Sequence, residues 1–162
     1  MSKIAVCPGS FDPITLGHLN VIERCLKIFD KIIVAVAINT SKQAIFTPEE
    51  RVMQLKEIFK DYNNVEVDSF QGLLVNYVKD KQIKTVIRGI RNMSDYEYES
   101  QLSLANRTLD PSLEFIYMLT EGKYAHLSSS FVKEIIKFGG SGCGMIHPIV
   151  EKKLREKLSP KI

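Results

Sequence analysis

The sequence predicts an α/β fold: a single doubly wound domain in which a five-stranded parallel sheet carries helices on both faces. Strand-like apolar runs alternate with amphipathic helical patterns, and this βαβα order is typical of a parallel sheet. The run "KIIVAVAI" at 31–38 is almost continuously apolar, as expected for a strand buried on both faces. No linker, repeat or low-complexity segment divides the 162 residues, so we assign 1–162 to one domain.

The first elements follow from local patterns. A strand is predicted at 3–7. A helix at 17–30 is indicated by apolar residues at helical spacing, namely Leu19, Ile22, Leu26 and Phe29. After the strand at 31–38, Thr47-Pro48-Glu49-Glu50 is a capping box with proline at the first helical position, and it opens the second helix.

The remaining elements continue the alternation. A strand at 65–67, a helix at 73–81 and a strand at 85–88 are followed by a charged helix at 94–108. The fifth strand is "EFIYML" at 114–119. A helix at 128–138 is stopped by Gly139-Gly140, and Pro148 opens the last helix.

The composition excludes several classes of protein. The net charge of +3 comes without a dense Lys/Arg block, so no nucleic-acid partner is predicted. No apolar run approaches the ~20 residues that span a bilayer, so no membrane contact is predicted either. Cys7, Cys25 and Cys143 fit no disulfide or zinc pattern. We therefore expect a reduced, cytoplasmic protein whose cysteines act as small apolar fillers.

The candidate site lies at the ends of the strands, because doubly wound sheets bind ligands beyond the carboxyl ends of their strands. The loops that leave this edge hold phosphate-binding side chains and two helix starts with small residues. The residues concerned are 8–12 with Gly17-His18, 39–42, 88–91 and 120–124 with Ser128-Ser129-Ser130. Their combination predicts a site for phosphate groups.

Each signal alone has a structural interpretation. Ser128 is typical of a helix N-cap, and Arg88 and Arg91 could pair with carboxylates of the charged helix, namely Asp95, Glu97 or Glu99. The P-loop, the G-x-G-x-x-G fingerprint and metal-binding histidine patterns are all absent. Only the recurrence of these groups at one sheet edge favours a binding site.

Three segments carry a resemblance to a known family. "PGSFDPITLGH" at 8–18 is similar to the signature of the nucleotidylyltransferase superfamily, whose (T/H)-x-G-H motif corresponds to Thr15-Leu16-Gly17-His18. "RGIRNMSDYEYE" at 88–99 and "SSSFVKE" at 128–134 resemble motifs of the phosphopantetheine adenylyltransferases of bacterial coenzyme A synthesis. The resemblance covers essentially the whole chain and implies a Rossmann-like nucleotidylyltransferase fold.

The resemblance also implies a reaction and its partners. The family transfers AMP from ATP to 4′-phosphopantetheine, which gives dephospho-coenzyme A and pyrophosphate. Its members use Mg²⁺, held mainly through the ATP phosphates, and are typically homohexamers. A cytidylyltransferase acting on a small phosphorylated alcohol and a non-catalytic nucleotide-binding regulatory domain remain as alternatives. Intact His18, Lys42, Arg88 and Arg91 favour an enzyme, since a sensor need not hold two phosphates together.

The family's site residues carry over by position. The resemblance implies that Ser10, Lys42 and Arg88 contact the acceptor phosphate, that Leu74 lines the pantetheine arm, and that further contacts come from Asn106 and Glu134. It implies that ATP contacts Ser10, Phe11, His18, Gly89, Ile90, Arg91, Glu99, Tyr124, Ala125, His126, Leu127, Ser128, Ser129 and Ser130. The family often has threonine at Ser10 and tryptophan at Tyr124, so the hydroxyl and the aromatic ring are kept.

The chemistry agrees with this residue set. The attacking phosphate oxygen is already ionised, so positioning and charge stabilisation are the main demands on the protein. We hypothesise that His18 donates a hydrogen bond to the α-phosphate, that Lys42 and Arg88 hold the acceptor, and that Arg91 and the helix start at 128–130 hold the triphosphate. Asp12 either caps the turn or lies near Mg²⁺, and the structural role is favoured.

Overall fold

The structure is a computed structural model and describes residues 3–39 and 43–158. Its strands are β1 (Ile4–Gly9), β2 (Lys31–Ile38), β3 (Val65–Gln71), β4 (Thr85–Ile90) and β5 (Glu114–Leu119). Its helices are α1 (Leu16–Cys25), α2 (Pro48–Ile58), α3 (Leu74–Asp80), α4 (Met93–Leu109), α5 (Ser129–Lys137) and α6 (Pro148–Leu158), with a 3₁₀ turn at Gly122–Tyr124.

The five strands form one sheet in the order β3-β2-β1-β4-β5, and every pair is parallel. The predicted parallel α/β sheet is therefore confirmed. The chain runs outward from β1 to β3 and then returns to β4 on the other side of β1. This reversal makes a switch point between β1 and β4, where a crevice opens beyond the carboxyl ends of the strands.

The core lies on both faces of the sheet, and β2 shows why its sequence is almost continuously apolar. Ile32, Val34 and Val36 pack into one buried cluster, whereas Ile33 and Ala35 pack into another. Successive side chains of a strand point to opposite faces, so a strand covered on both sides needs apolar residues at every position.

Several predicted boundaries differ from the structure. β1 and β4 each end two residues later than predicted, at Gly9 and Ile90, so part of each loop assigned to the site belongs to a strand. The two largest differences concern β3 and α1. β3 continues to Gln71 instead of ending at residue 67, because it pairs with β2 along its whole length, up to Ile38 opposite Gln71. α1 ends at Cys25 instead of residue 30, and the N–H of Phe29 donates to the Cys25 carbonyl in the turn that follows. The predicted glycine stop is confirmed after α5: Gly139 has φ +83°, and the Gly140 N–H donates to the Ile135 carbonyl.

Two of the three cysteines are core residues. Cys7 and Cys25 are buried, and burial raises the pKa of Cys7 to about 12 and that of Cys25 to about 11. These thiols are therefore protonated at neutral pH and act as apolar fillers. Cys143 is exposed. None of the helices in the described ranges is long and apolar enough to cross a membrane.

Candidate active site

Two adjoining clefts lie beyond the carboxyl ends of the strands. The first, of about 250 Å³, lies at the switch point and is lined by the β1–α1 turn, the end of β4 and the starts of α4 and α5. The second, of about 640 Å³, lies between the ends of β2 and β3, α3 and α4. The clefts share Pro8, Gly9, Ser10, Arg88 and Glu99, so two ligands bound in them would meet at these residues.

Most of the residues proposed for the site line one of the two clefts. The first cleft brings together Ser10, Phe11, His18, Arg88, Gly89, Arg91, Glu99, Leu127, Ser128 and Ser129. The second adds Leu74 and Asn106 to the shared Ser10, Arg88 and Glu99. The lining of both clefts, as the structure describes it, does not include Ile90, Tyr124, Ala125, His126, Ser130 or Glu134. Lys42 lies outside the described residues.

The β1–α1 turn is fixed by Asp12. The buried Asp12 carboxylate accepts hydrogen bonds from the N–H groups of Ile45 and Phe46, at 3.1 and 2.9 Å, and from Lys133 Nζ at 3.2 Å. It therefore joins the turn to the segment before α2 and to α5. These contacts support the structural role of Asp12 over a position beside Mg²⁺.

Gly9 is needed for packing within this turn. Phe11, which has a positive φ of 47°, places its ring against Gly9, and a Cβ there would lie 2.8 Å from the ring. Gly17 also lines the first cleft, but it has no such steric constraint. A Cβ at Gly17 would meet Thr15 Oγ1 at 3.4 Å and the Tyr124 carbonyl at 3.6 Å, which are ordinary contacts. The packing of the protein itself therefore does not require glycine at 17.

His18 is held by a reciprocal cap at the start of α1. The Thr15 N–H donates to His18 Nδ1 at 3.0 Å, and Thr15 Oγ1 accepts from the His18 N–H at 3.4 Å. Because Nδ1 is an acceptor, the neutral ring carries its proton on Nε2. Phe11 packs edge-on against the ring at 5.4 Å between centroids.

The charge state of His18 follows from its surroundings. Burial, and then the positive charges of Arg91 and Arg88, lower the pKa of His18 to about 4. The imidazole is therefore neutral at physiological pH and presents an N–H donor at the cleft. Nε2 makes no hydrogen bond within residues 3–39 and 43–158. Such a group can donate to an anion without carrying a charge of its own.

Two helix starts at the first cleft have open N–H groups. In α1, the Leu16 N–H donates to the Met145 carbonyl, but no acceptor for the Gly17 N–H lies in the part of the chain that the structure describes. In α5, Ser128 is the N-cap, as its structural interpretation predicts, and its Oγ accepts from the Phe131 N–H at 3.1 Å. Ser129 Oγ donates to the Pro13 carbonyl. These helix starts are suited to anions.

The two arginines repeat one arrangement. Arg88 donates from Nε and Nη2 to the Glu99 carboxylate and from Nη1 to the Pro8 carbonyl. Arg91 donates from Nε and Nη2 to Asp95, at 2.8 and 3.0 Å, and from Nη1 to the Leu127 carbonyl at 2.8 Å. The ion pairs that the structural interpretation predicted therefore form, with Glu99 for Arg88 and Asp95 for Arg91. Both pairs nevertheless line the first cleft. Arg88 thereby binds the neighbouring strand β1, and Arg91 binds the segment before α5.

Burial and pairing act in opposite directions on these charges. Burial opposes the charge of Asp95, but hydrogen bonds from Arg91 outweigh burial and lower its pKa. Likewise, burial opposes the charge of Arg88, but Glu99 outweighs it and raises the pKa of Arg88. Asp95 and Arg88 are therefore ionised at neutral pH. The cleft has fixed positive groups that are already oriented.

The sequence analysis missed much of the second cleft. Its wall includes residues after the predicted end of β3 and residues of α4 and β5, namely Phe70, Gln71, Gly72, Tyr98, Leu102 and Phe115. The prediction ended β3 at residue 67 and assigned no site residue to the loop that follows this strand. The signal available in the sequence was the glycine at position 72, which in the structure directly follows β3 with φ +92°.

Comparisons with known proteins agree with this geometry. The family model of cytidylyltransferase-like proteins matches residues 6–135. A solved structure from Vibrio parahaemolyticus, provisionally assigned as a nicotinate-nucleotide adenylyltransferase, has a TM-score of 0.69 and 20% identity, and covers 95% of this chain and 99% of that chain. At that identity the likeness concerns the fold alone. The family match and the switch-point site together define an enzyme of the nucleotidyltransferase class.

Curated relatives narrow the class. A protein of Clostridium botulinum (strain 657 / Type Ba4) is 46% identical over 98% of this chain and 97% of its own length. One of Carboxydothermus hydrogenoformans is 50% identical over 96% of each chain. Both are named phosphopantetheine adenylyltransferase. The chain belongs to the phosphopantetheine adenylyltransferase family, as the three motifs predicted.

Proposed function

We propose that the chain transfers AMP from ATP to 4′-phosphopantetheine, which gives dephospho-coenzyme A and pyrophosphate. The observation that carries this proposal is the junction of the two clefts at Pro8–Ser10, Arg88 and Glu99. A transfer between two phosphorylated ligands needs their phosphates side by side, and adjoining clefts with a shared wall provide that arrangement. The names of the relatives support the same substrates.

ATP is assigned to the first cleft. Arg91 and the α5 start at Ser128–Ser130 hold the triphosphate, because they combine an oriented guanidinium with open N–H groups. The stretch 124–127, with Ile90 and Glu99, is assigned to the rest of the nucleotide from the family resemblance. The Glu99 carboxylate accepts a hydrogen bond from Arg88, so part of the contribution of Glu99 to ATP binding is the orientation of that arginine.

4′-Phosphopantetheine is assigned to the second, larger cleft. The apolar side chains of Phe70, Leu74 and Phe115 suit the pantetheine arm, and Asn106 supplies a polar contact. Arg88, with Ser10 beside it, holds the acceptor phosphate at the junction. Lys42 is assigned to the same phosphate from the family resemblance alone. Glu134 is exposed on α5 and, on this proposal, acts on the substrate only from outside the cleft.

His18 stabilises the charge that develops on the α-phosphate. Its neutral ring carries the proton on Nε2, and the Thr15 N–H fixes that tautomer. The acceptor phosphate oxygen is ionised at neutral pH, so no protein base has to remove a proton. Direct in-line displacement with pyrophosphate as the leaving group then requires oriented donors, which His18, Arg88, Arg91 and the helix starts supply.

Magnesium is proposed to enter with ATP as part of the substrate. Within residues 3–39 and 43–158, no group of three or more His, Cys, Asp and Glu side chains is placed to hold a metal ion. The carboxylates in the first cleft, Asp95 and Glu99, are paired with arginines. The ion would therefore be held mainly through the ATP phosphates.

The chain is further proposed to act as one nucleotidyltransferase domain in a cytoplasmic homohexamer. Large apolar side chains are exposed along α4 and β5, including Met93, Leu104, Leu109 and Leu119, and these faces are available for contacts between subunits. The three free cysteines accord with a reducing compartment. Light scattering would give about six times the 18.4 kDa chain mass for a hexamer.

The test is pyrophosphate release with each nucleotide triphosphate, with and without 4′-phosphopantetheine. We expect release only with ATP and the acceptor together. Release with CTP and a small phosphorylated alcohol would instead identify a cytidylyltransferase. ATP binding without pyrophosphate release under any condition would identify a regulatory nucleotide-binding domain.

A further inference from the structure

Within the described part of the chain, the Asp95 carboxylate accepts hydrogen bonds from one residue, Arg91. Its oxygens accept from Nε and Nη2 of Arg91 and also from the Arg91 main-chain N–H at 3.1 Å. Asp95 is the third residue of α4, and Asn92 is the N-cap, whose side chain accepts from the Asp95 N–H. In an ordinary capping box the carboxylate at this position would reach back to the N-cap N–H. Here it reaches one residue further, to Arg91.

The arrangement leaves part of Arg91 open. A guanidinium has five N–H groups, and Asp95 and the Leu127 carbonyl engage three of those of Arg91. The other two, one on each Nη, have no acceptor among residues 3–39 and 43–158, so they are available to a ligand in the cleft. Three contacts from two walls fix the plane of the guanidinium, so the free N–H groups have one direction before any ligand arrives.

The pair of Arg88 with Glu99 provides an internal comparison. Glu99 lies one helical turn after Asp95, and it binds Nε and Nη2 of its arginine in the same way. In both cases Nη1 donates to a main-chain carbonyl of another segment, Pro8 of β1 for Arg88 and Leu127 before α5 for Arg91. α4 therefore presents two carboxylates at i and i+4, and each orients one arginine of the switch-point cleft.

We infer that Asp95 is a positioning residue for nucleotide binding, which acts through Arg91 by fixing the direction of its free N–H groups toward the ATP phosphates. This inference rests on the assignment of ATP to the first cleft. Asp95 itself need not touch the nucleotide. Its effect is expected on ATP and not on the acceptor, because the second cleft is lined by neither Asp95 nor Arg91.

The test compares Asp95→Asn with Glu97→Gln. Glu97 lies two residues away on the same helix, is exposed and makes no ion pair within the described ranges, so its variant removes the same charge without affecting an arginine. We expect Asp95→Asn to weaken ATP binding by about tenfold or more, as Kd by calorimetry and as KM, because a charge-assisted partner is lost. The KM for 4′-phosphopantetheine should change less than about twofold, and Glu97→Gln should match the wild type. An unchanged Kd for ATP in Asp95→Asn would overturn the inference.

A double substitution separates positioning from general structural damage. If Asp95 acts through Arg91, then Asp95→Asn should weaken ATP binding no further in an Arg91→Ala background. Effects that multiply would contradict the inference. If Asp95→Asn does not fold, Arg91→Lys serves instead, because lysine has no planar fork for Asp95 to hold. Wild-type affinity for ATP in Arg91→Lys would then overturn the inference.

The proposed reaction and the proposed role of Asp95 can be refuted independently of each other. A wild type that binds ATP but releases no pyrophosphate with 4′-phosphopantetheine would refute the reaction, and the Kd comparison would still decide the role of Asp95. A wild type that binds no ATP would refute both.

Discussion

Thr15 and His18 hold each other at the start of α1: the Thr15 main-chain N–H donates to His18 Nδ1, and the Thr15 hydroxyl accepts from the His18 main-chain N–H. The N-cap of the helix is therefore also the group that orients the imidazole. A helix cap alone would be satisfied by many residue pairs. Here the cap sets the tautomer of the histidine that lines the switch-point cleft.

Replacing Thr15 by valine separates the contribution of the hydroxyl cap from that of the main-chain N–H that orients the imidazole. The hydroxyl cap is lost, so we expect the free energy of unfolding in urea to fall by ~1 kcal/mol. The main-chain N–H to Nδ1 remains, so kcat should fall by less than about tenfold, well short of the ~10²–10³ typical for a lost oxyanion donor. Thr15→Ser, which keeps the hydroxyl, is the control. A loss in Thr15→Val as large as in His18→Ala would mean that the hydroxyl sets the tautomer.

The pKa of His18 predicts how stability depends on pH. It is about 4 in the folded chain, against 6.5 for an unperturbed histidine, so the unfolded chain binds a proton here at a higher pH. This group is neutral in both states above about pH 6.5. As pH falls from about 6.5 to 4, it favours the unfolded state increasingly, by an upper bound of about 3 kcal/mol.

Urea midpoints of the wild type and His18→Gln at pH 7.5 and pH 5 would measure this contribution. We expect the wild type to lose more stability than His18→Gln between the two pH values. Equal losses in the two proteins would contradict the lowered pKa.

Gly17 and Gly9 should respond differently to alanine. Gly17→Ala meets no close contact and adds a better helix former to α1, so stability should be kept or raised. Its methyl group would occupy space beside the open N–H of the helix start, so the KM for ATP should rise or kcat should fall by at least about tenfold, which corresponds to ~1.4 kcal/mol.

Gly9→Ala is the steric comparison, because its Cβ would lie 2.8 Å from the Phe11 ring. We expect a clear loss of stability, of ~1–3 kcal/mol, in urea unfolding. If Gly17→Ala proved fully active, the assignment of the α1 start to the phosphates would be wrong.

Leu74 tests the acceptor cleft. Leu74→Ala removes apolar surface from the second cleft, so the KM for 4′-phosphopantetheine should rise by about tenfold while the KM for ATP stays within about twofold. Leu73→Ala is a matched control, since Leu73 is the exposed neighbour and lines neither cleft within the described residues. Equal effects of the two variants would remove the support for this assignment.

The sequence was sufficient for the fold because its patterns are local. The apolar run of β2 and the capping box of α2 each specify an element from a few neighbouring residues, and both are confirmed. The strand β3 was shortened because its polar residues Asp68, Ser69 and Gln71 belong to a strand only through pairing with β2. Pairing partners are distant in sequence, so propensity alone misses them.

The same distinction between local patterns and distant contacts applies to the candidate site. The sequence predicted His18, Arg88, Arg91 and Ser128 for the site because each lies near the end of a strand or the start of a helix at the expected ligand-binding edge, and all four line the first cleft. The link from Asp95 to Arg91 was considered only as a surface pair, because the sequence does not show that the Leu127 carbonyl holds the other end of the guanidinium. A second hydrogen-bond partner of this kind is distant in sequence, so only the tertiary structure reveals it.

The central claim is adenylyl transfer assisted by the neutral His18, and the rate of dephospho-coenzyme A formation tests it most directly. Wild type and His18→Ala would be compared with saturating ATP, Mg²⁺ and 4′-phosphopantetheine, after far-UV circular dichroism has shown that both are folded. We predict product with the wild type and a kcat lower by ~10²–10³ in His18→Ala. No product from the wild type, or near-normal turnover in His18→Ala, would contradict the claim.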